Sequence, residues 1–335
     1  MTKTSSKSQL STKPIEYTGL LAIGDPHVEA RQPGFRCDDY PNVILQKLRW
    51  SLNYAIQNRL LPMILGDLFD KPRDNPNWLI HQLIEMMQDI EVIGIFGNHD
   101  CGHQSEITEN ESLSILAQSG CLRLVTEQHP WLGEMNGRQV LVGGSSYRQP
   151  LPETVSLPTP KGLFEGVPLA FWLTHHDIDF KEMQAPGMLA PFEIENLDYV
   201  INGHLHRQMP DVQKGQTTWM NPGNISRRKR SQATLEHKPA VLRIDIQAEA
   251  VQFERVMVPH QPSAEVFYEA VVQQAAEALD SQYVSGLREL QMRKTDTGAG
   301  LHQFLDLNLT EFDSNIANVI KALAKEVTET EETHV

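Results

Sequence analysis

The chain predicts an α/β fold with buried parallel strands, and three observations lead there. Apolar runs recur along its first two thirds. Each is followed at once by a short polar motif rich in Asp, Asn and His, and a glycine precedes the polar residue in four of those motifs. A run apolar on every residue reads as a strand covered on both faces, and the glycine lets the chain turn sharply with no Cβ in the way.

Residues 1–16 come first as a flexible tail, because Met1–Lys13 scatters lysine among serine and threonine and buries too little to offset its ordering entropy. Leu20-Leu21-Ala22-Ile23 then leads into Gly24, Asp25 and His27. Met63-Ile64-Leu65 leads into Gly66-Asp67-Leu68-Phe69-Asp70, and Val92–Phe96 into Gly97-Asn98-His99-Asp100. Leu169–Leu173 precedes Thr174-His175-His176-Asp177, and Tyr199-Val200-Ile201 precedes Gly203-His204-Leu205-His206. Five strands thus feed polar residues to one rim, the place where ligands bind beyond the carboxyl ends of strands in α/β sheets.

The candidate ligands mix imidazole, carboxylate and one amide oxygen, a set suited to Mn, Fe or Zn rather than to Ca or an all-oxygen Mg site. They are too many for one ion and fit two ions about 3.5–4 Å apart, the arrangement that clamps the attacking and leaving oxygens of phosphoryl transfer. The adjacent histidines 175 and 176 differ by one residue of register, which decides which ring faces the rim. Asp70 fits either a supporting role or the start of a helix.

The order D-x-H, GDxxD, GNHD, a histidine after a strand and GHxH resembles the calcineurin-like metallophosphoesterases, over roughly residues 17–260. The resemblance implies a sandwich of two mixed β-sheets flanked by helices and two divalent ions, with Mn2+ expected and Fe, Zn or Mg as alternatives. It assigns Asp25, His27 and His206 to one ion and Asn98, His175 and His204 to the other, with Asp67 bridging. His99 would be catalytic, holding the phosphate or protonating the leaving oxygen, and Asp100 would orient His99. An activated water would attack phosphorus in line. The stretch Gly66–Pro76, the helix-like Glu111–Ser119, the hairpin-like Gln139–Tyr147 with Gly143-Gly144, and Asn221–Arg227 are similar to SbcD-like DNA repair nucleases. That narrower resemblance implies DNA as substrate and an SMC-like ATPase as partner.

Charge argues the other way. A net charge of −14 is unusual for a protein that grips phosphates. The densest positive cluster is Arg227-Arg228-Lys229-Arg230, with Arg207 and Lys238 near it, and Arg31 and Arg36 are further candidates for substrate contact. A phosphatase or phosphodiesterase acting on a small ester or nucleotide is therefore the alternative, and a binding subunit with structural metals is a third. No GxxxxGK[ST] loop supports a P-loop nucleotidase.

Cys37, Cys101 and Cys121 have neither the parity nor the spacing of a disulfide or zinc framework. No signal peptide or membrane span is evident, so a soluble cytoplasmic protein is expected, and a homo-oligomer stays open. Residues 261–335 form a mainly helical extension with an acidic tail, in which Ala264–Leu279 and Ser314–Val327 carry apolar residues at helical spacing and His302–Leu309 alternates like a strand. The extension would either pack on the core or dock the partner.

Overall fold

In the computed structural model, which describes residues 16–102, 107–157, 168–181 and 187–268, the apolar runs become strands of two six-stranded sheets. In chain order the elements are β1 (Gly19–Ile23), α1 (Tyr40–Gln57), β2 (Leu60–Ile64), α2 (Asn77–Met87), β3 (Ile93–Gly94), α3 (Ser112–Gln118), β4 (Arg123–Leu124), β5 (Trp131–Met135) and β6 (Arg138–Ser145), followed by β7 (Leu169–Thr174), β8 (Tyr199–Asn202), β9 (Val212–Lys214), β10 (Thr217–Met220), α4 (Gln232–Glu236), β11 (Ala240–Ile246), β12 (Val251–Met257) and α5 (Ser263–Val266). The first sheet runs β12-β11-β1-β2-β3-β4 and the second β5-β6-β7-β8-β10-β9. Each has a parallel run, β1 to β4 in one and β6-β7-β8-β10 in the other; antiparallel β11 and β12 flank one side of the first sheet, and antiparallel β5 and β9 form the two edges of the second. The expected two-sheet α/β sandwich is the fold observed.

Alternation along each strand sets the layers. Leu20 and Ala22 of β1 and Leu61 and Met63 of β2 join Val140, Val142, Phe171, Leu173 and Ile201 in the core between the sheets. Leu21, Ile23, Leu60 and Ile64 face the other way, onto Ile44, Leu48, Leu52 and Ala55 of α1 and Leu79, Leu83 and Met87 of α2. The outer face of the second sheet presents Leu141, Ala170, Trp172, Val200 and Trp219 to Ile178, Phe180, Ile194 and Leu197. The central strands are buried on both faces, hence their unbroken apolar sequences. Helix α1 starts where Asp39 accepts a hydrogen bond from the Asn42 amide, with proline in its first turn.

Two expectations need correction. Gln139–Tyr147 is no hairpin: residues 138–145 are one strand, and the hairpin lies upstream, where Asn136 (φ 50°) and Gly137 (φ 79°) turn the chain between β5 and β6. Asn-Gly, with both residues at positive φ, is the stronger hairpin signal. Gly143 and Gly144 are strand residues, and a Cβ on them would meet the Trp172 ring at 2.4 Å and Ile95 at 2.7 Å. Nor is the rim the edge of one open sheet, because β1, β2 and β3 belong to the first sheet and β7 and β8 to the second. Among the described residues no helix is long and apolar enough to cross a membrane. The chain divides into two units, Met1–Phe267 and Tyr268–Val335. The tail through Pro14, most of Ala264–Leu279, and all of His302–Leu309, Ser314–Val327 and the acidic tail lie outside the described residues.

Candidate metal centre

The loops that leave β1, β2, β3, β7 and β8 meet at the seam between the two sheets and bring the predicted ligands together. Asp25, His27, Asp67 and His175 are all 2% exposed or less. The His27 and His206 Nε2 atoms stand 3.0 Å apart, and His27 Nε2 is 3.6 Å from Asp67 Oδ2. On the other side His175 Nε2 lies 3.3 Å from Asp67 Oδ2 and 3.1 Å from Asn98 Oδ1, which also faces His204 Nδ1 at 2.9 Å. Asp67 therefore lies between the two groups. The neighbouring histidine, His176, turns away to Gln149 O and the Thr174 hydroxyl.

Tautomers show what this cluster lacks. The His175 Nδ1–H donates to Leu65 O at 2.7 Å, and the Nε2–H of His204 donates to Asp177 at 2.8 Å. In the neutral rings His175 Nε2 and His204 Nδ1 are then acceptors, both aimed at Asn98 Oδ1, itself an acceptor. Asp25 Oδ2 is buried with no hydrogen-bond partner, and with His27 Nε2 turned to the cluster the hydrogen of the neutral ring sits on Nδ1, 3.6 Å from Asp70 Oδ1. Convergent lone pairs with no donor among them suit cations, and nitrogens each about 2.1 Å from one ion would sit about 3 Å apart, as those of His27 and His206 do. Atoms of Asp25–His27–His206, of Asp25–Asp67–His175 and of His27–Asp67–His99 each lie within 4.8 Å of one another. Burial holds His27 well below the usual histidine range, in the neutral form a ligand needs. Burial works the same way on His175, but Asp67 and Asp25 outweigh it and carry its pKa up to about 10, so a proton fills this gap when no metal does.

The loop backbone is unusual. Asp25 (φ 40°), His27 (47°), Asp67 (49°) and His204 (66°) occupy the left-handed region. The motif glycines mostly serve another purpose. Of the four, only Gly66 has positive φ (91°), while a Cβ on Gly24 would meet Gly223 O at 2.2 Å and one on Gly97 would meet Asp67 Oδ1 at 2.1 Å. They allow loops to touch rather than turn.

His99 donates its backbone N–H to Asp67 Oδ1 at 2.8 Å, and its Nδ1 lies 2.8 Å from Asp70 O, which leaves Nε2 free to face the cavity. Asp100 does not orient it. The Asp100 carboxylate is fully buried and accepts from the amides of Leu68, Phe69 and Gly97 at 2.9–3.2 Å, tying the Asp67 loop to the Asn98 loop. Burial, with Asp67 close by, raises its pKa to about 7. The backbone carbonyl of Asp70 takes the orienting place, while its carboxylate Oδ1 stands 3.7 Å from His99 Nδ1 and 3.6 Å from His27 Nδ1. Asp70 precedes α2 by several residues and starts no helix.

The basic residues divide. Arg228 is bound to Asp70 at 2.7 Å and to Glu29 at 3.2 Å. Arg227 is buried and turned to Gln261 O and the Ser263 hydroxyl. Arg36, expected to meet substrate, is 2% exposed, clamped by Asp38 and set against the rings of Tyr40 and Phe267. Arg207 and Lys229 line the cavity over the cluster, as do Lys181, Arg227 and Arg228, whereas Arg31 and Lys238 are not in its lining. Cys101 is buried, and burial pushes its thiol up to about 12, which leaves it inert. The cavity, about 630 Å³, spans His27, His99, His204 and His206 and has an apolar wall that includes Ile178, Phe180 and Met209.

Asp177 is not among the residues that the sequence singles out, although it stands in the same THHD motif two positions after His175. Ser226 also escaped; its hydroxyl donates to Asp25 O at 3.0 Å and braces the first ligand loop.

A two-sheet sandwich with convergent imidazole, carboxylate and amide donors on its seam defines a metal-site protein of the phosphoester-cleaving class. Residues 19–208 match the family model described as calcineurin-like phosphoesterase, and the chain belongs to that family. No curated protein matches the chain. Among solved structures it is similar to a predicted phosphoesterase from Streptococcus pneumoniae TIGR4 (13% identity, 74% of this chain and 93% of that one, TM-score 0.33). It is also similar to a dimetal phosphatase from Danio rerio (10%, 74% and 98%, 0.46) and to zinc-complexed Vps29 from Entamoeba histolytica (15%, 72% and 99%, 0.28).

Proposed function

We propose that the chain hydrolyses phosphodiesters with two divalent ions, Mn2+ by preference, and that its substrate is DNA, as in the SbcD-like nucleases. The carrying observation is that Arg207 and Lys229 share one cavity with the paired histidine–carboxylate cluster. In this reading Asp25, His27 and His206 would hold one ion and Asn98, His175 and His204 the other, with Asp67 available to each. The ions, when bound, would activate a water and offset charge on the phosphoryl oxygens. His99 keeps its Nε2 toward the cavity because its Nδ1–H donates to Asp70 O, so with the ring in the imidazolium form Nε2 can give its proton to a departing oxygen and the ring is left neutral. Asp177 fixes the ring of His204. Cations on the rim would hold phosphates flanking the scissile one. An SMC-like ATPase is the partner expected of such a nuclease.

A second reading, a phosphatase or phosphodiesterase of a small ester, draws on the apolar wall of Ile178, Phe180 and Met209, which suits a base or other apolar group more than a duplex, and on the net charge of −14. Hydrolysis of labelled single- and double-stranded DNA beside bis(p-nitrophenyl) phosphate and p-nitrophenyl phosphate by the Mn-loaded protein separates the two, with Asp67→Asn as the blank. DNA cleavage lost in the variant supports the nuclease. Turnover of the small esters with DNA untouched replaces it with the second reading.

A further inference from the structure

Beside the Ile225–Arg228 segment three cations are buried together, and one of them, Arg227, lines both the cavity over the metal cluster and a second one. Arg36, Lys47 and Arg227 are 2%, 5% and 3% exposed. Buried charge is tolerated only when paired and hydrogen-bonded. Arg36 meets this requirement through both Asp38 oxygens. The other two do not. Among the described residues Lys47 Nζ donates to a single acceptor, Ile225 O at 3.0 Å, and Arg227 reaches only the Ser263 hydroxyl and Gln261 O, both neutral, while its buried Nε has no partner. Among the described residues no carboxylate other than that of Asp38 pairs with any of the three.

All three line one cavity of about 390 Å³ between α1 and the Pro259–Val266 stretch, with Trp50 and His260 on its wall. Among the described residues two ammonium hydrogens of Lys47 and the Nε–H of Arg227 are left without acceptors, and both residues line this cavity, which is large enough for a small polyoxygen anion. A planar guanidinium beside an ammonium matches a tetrahedral oxyanion, which can accept from both at once. We infer that this cavity is a second anion site, separate from the metal cluster, that takes a phosphate-class oxyanion, either free phosphate or a backbone phosphate of a nucleic acid. Burial, with Arg227 and Arg36 adding to it and Asp38 opposing it only in part, lowers the Lys47 pKa from the ordinary 10.5 to about 7. The site is coupled to the reaction loops through one backbone segment, since Ile225 N donates to Gly24 O at 3.1 Å and Ser226 to Asp25 O at 3.0 Å.

The test uses the full chain, stripped of metal with a chelator so that the catalytic cluster offers no cation to the probe. Thermal unfolding is followed in inorganic phosphate and in chloride at equal ionic strength, for the wild type, Lys47→Met and Lys47→Arg, with circular dichroism confirming that each variant is folded. Phosphate is expected to raise the Tm of the wild type and of Lys47→Arg, and to bind Lys47→Met at least about tenfold more weakly. A parallel anisotropy titration with a fluorescent oligo(dT) identifies the source. Oligonucleotide binding that weakens in Lys47→Met assigns the site to a nucleic-acid phosphate, and oligonucleotide binding indifferent to Lys47 beside a Lys47-dependent phosphate effect assigns it to the free anion. An equal Tm rise in the wild type and Lys47→Met, or no dependence on Lys47 with either probe, overturns the inference.

Discussion

His99 and Asp177 illustrate how much of the site depends on hydrogen bonds to atoms no motif contains. His99 has 38% of its side chain exposed, so replacing it disturbs little packing. His99→Ala should keep the fold and lower kcat by about 10²–10⁴-fold, the usual contribution of a general acid; a kcat within threefold of wild type, roughly 0.7 kcal/mol, would exclude that role. Asp177 touches no other predicted ligand but holds the His204 tautomer. Asp177→Ala should weaken metal binding about 10–100-fold, and competition against a fluorescent chelator reads this directly. Unchanged affinity would remove Asp177 from the site. The Asp100 carboxylate, by contrast, is taken up by three loop amides. Sequence adjacency to His99 suggested the Asp100 carboxylate, whereas the ring is held by a backbone group, the carbonyl of Asp70, 29 positions upstream.

At the scale of elements, the strands were legible because they are covered on both sides: an unbroken run such as Leu169–Leu173 has no other comfortable place in a fold. The histidine and carboxylate loops were legible for the same reason, each beginning where such a run stops. What the sequence did not reveal was which sheet each strand joins, since β3 and β7 look alike as strings and are separated only by long-range pairing. The Gly143-Gly144 pair was misread because glycine usually marks a turn, whereas here it makes room for an indole and an isoleucine. Gly143→Ala should accordingly destabilise the protein by roughly 1–3 kcal/mol, the range for overpacking a tight core. Urea unfolding would show it as a lower midpoint at unchanged m-value; a neutral result would mean that Trp172 can move aside.

For the whole molecule, the two sheets meet at the cluster, with Asp25, His27, Asp67 and Asn98 supplied by the first and His175, His204 and His206 by the second. Ions held by both should therefore raise global stability, by about 2.7 kcal/mol at a hundred times Kd for one site. Calorimetry with Mn2+ and with chelator should show a Tm difference that Asp67→Asn largely removes; equal values in the wild type would mean that metal does not join the sheets. Lys47 adds a dependence on pH. Its folded pKa of about 7 lies below the ordinary 10.5, so between those values the unfolded chain binds the extra proton and stability rises with pH. The burden of the buried charge is complete below pH 7. Lys47→Met should consequently gain more over wild type at pH 6 than at pH 9 in phosphate-free buffer, and a gain that is equal at both would show that Lys47 stays charged throughout.

The left-handed backbone at Asp25, His27, Asp67 and His204 has an evolutionary consequence. Strained positions of this kind cost about 1–3 kcal/mol each, and glycine relieves them. Selection for the reaction is then what keeps side chains there. In a lineage that abandoned hydrolysis, drift would run downhill at these four places first, toward glycine or asparagine, and the protein would grow sturdier as it fell silent. A descendant with glycines in the DxH and GHxH motifs and an elevated Tm would be a fossil of this enzyme, recognisable before any assay.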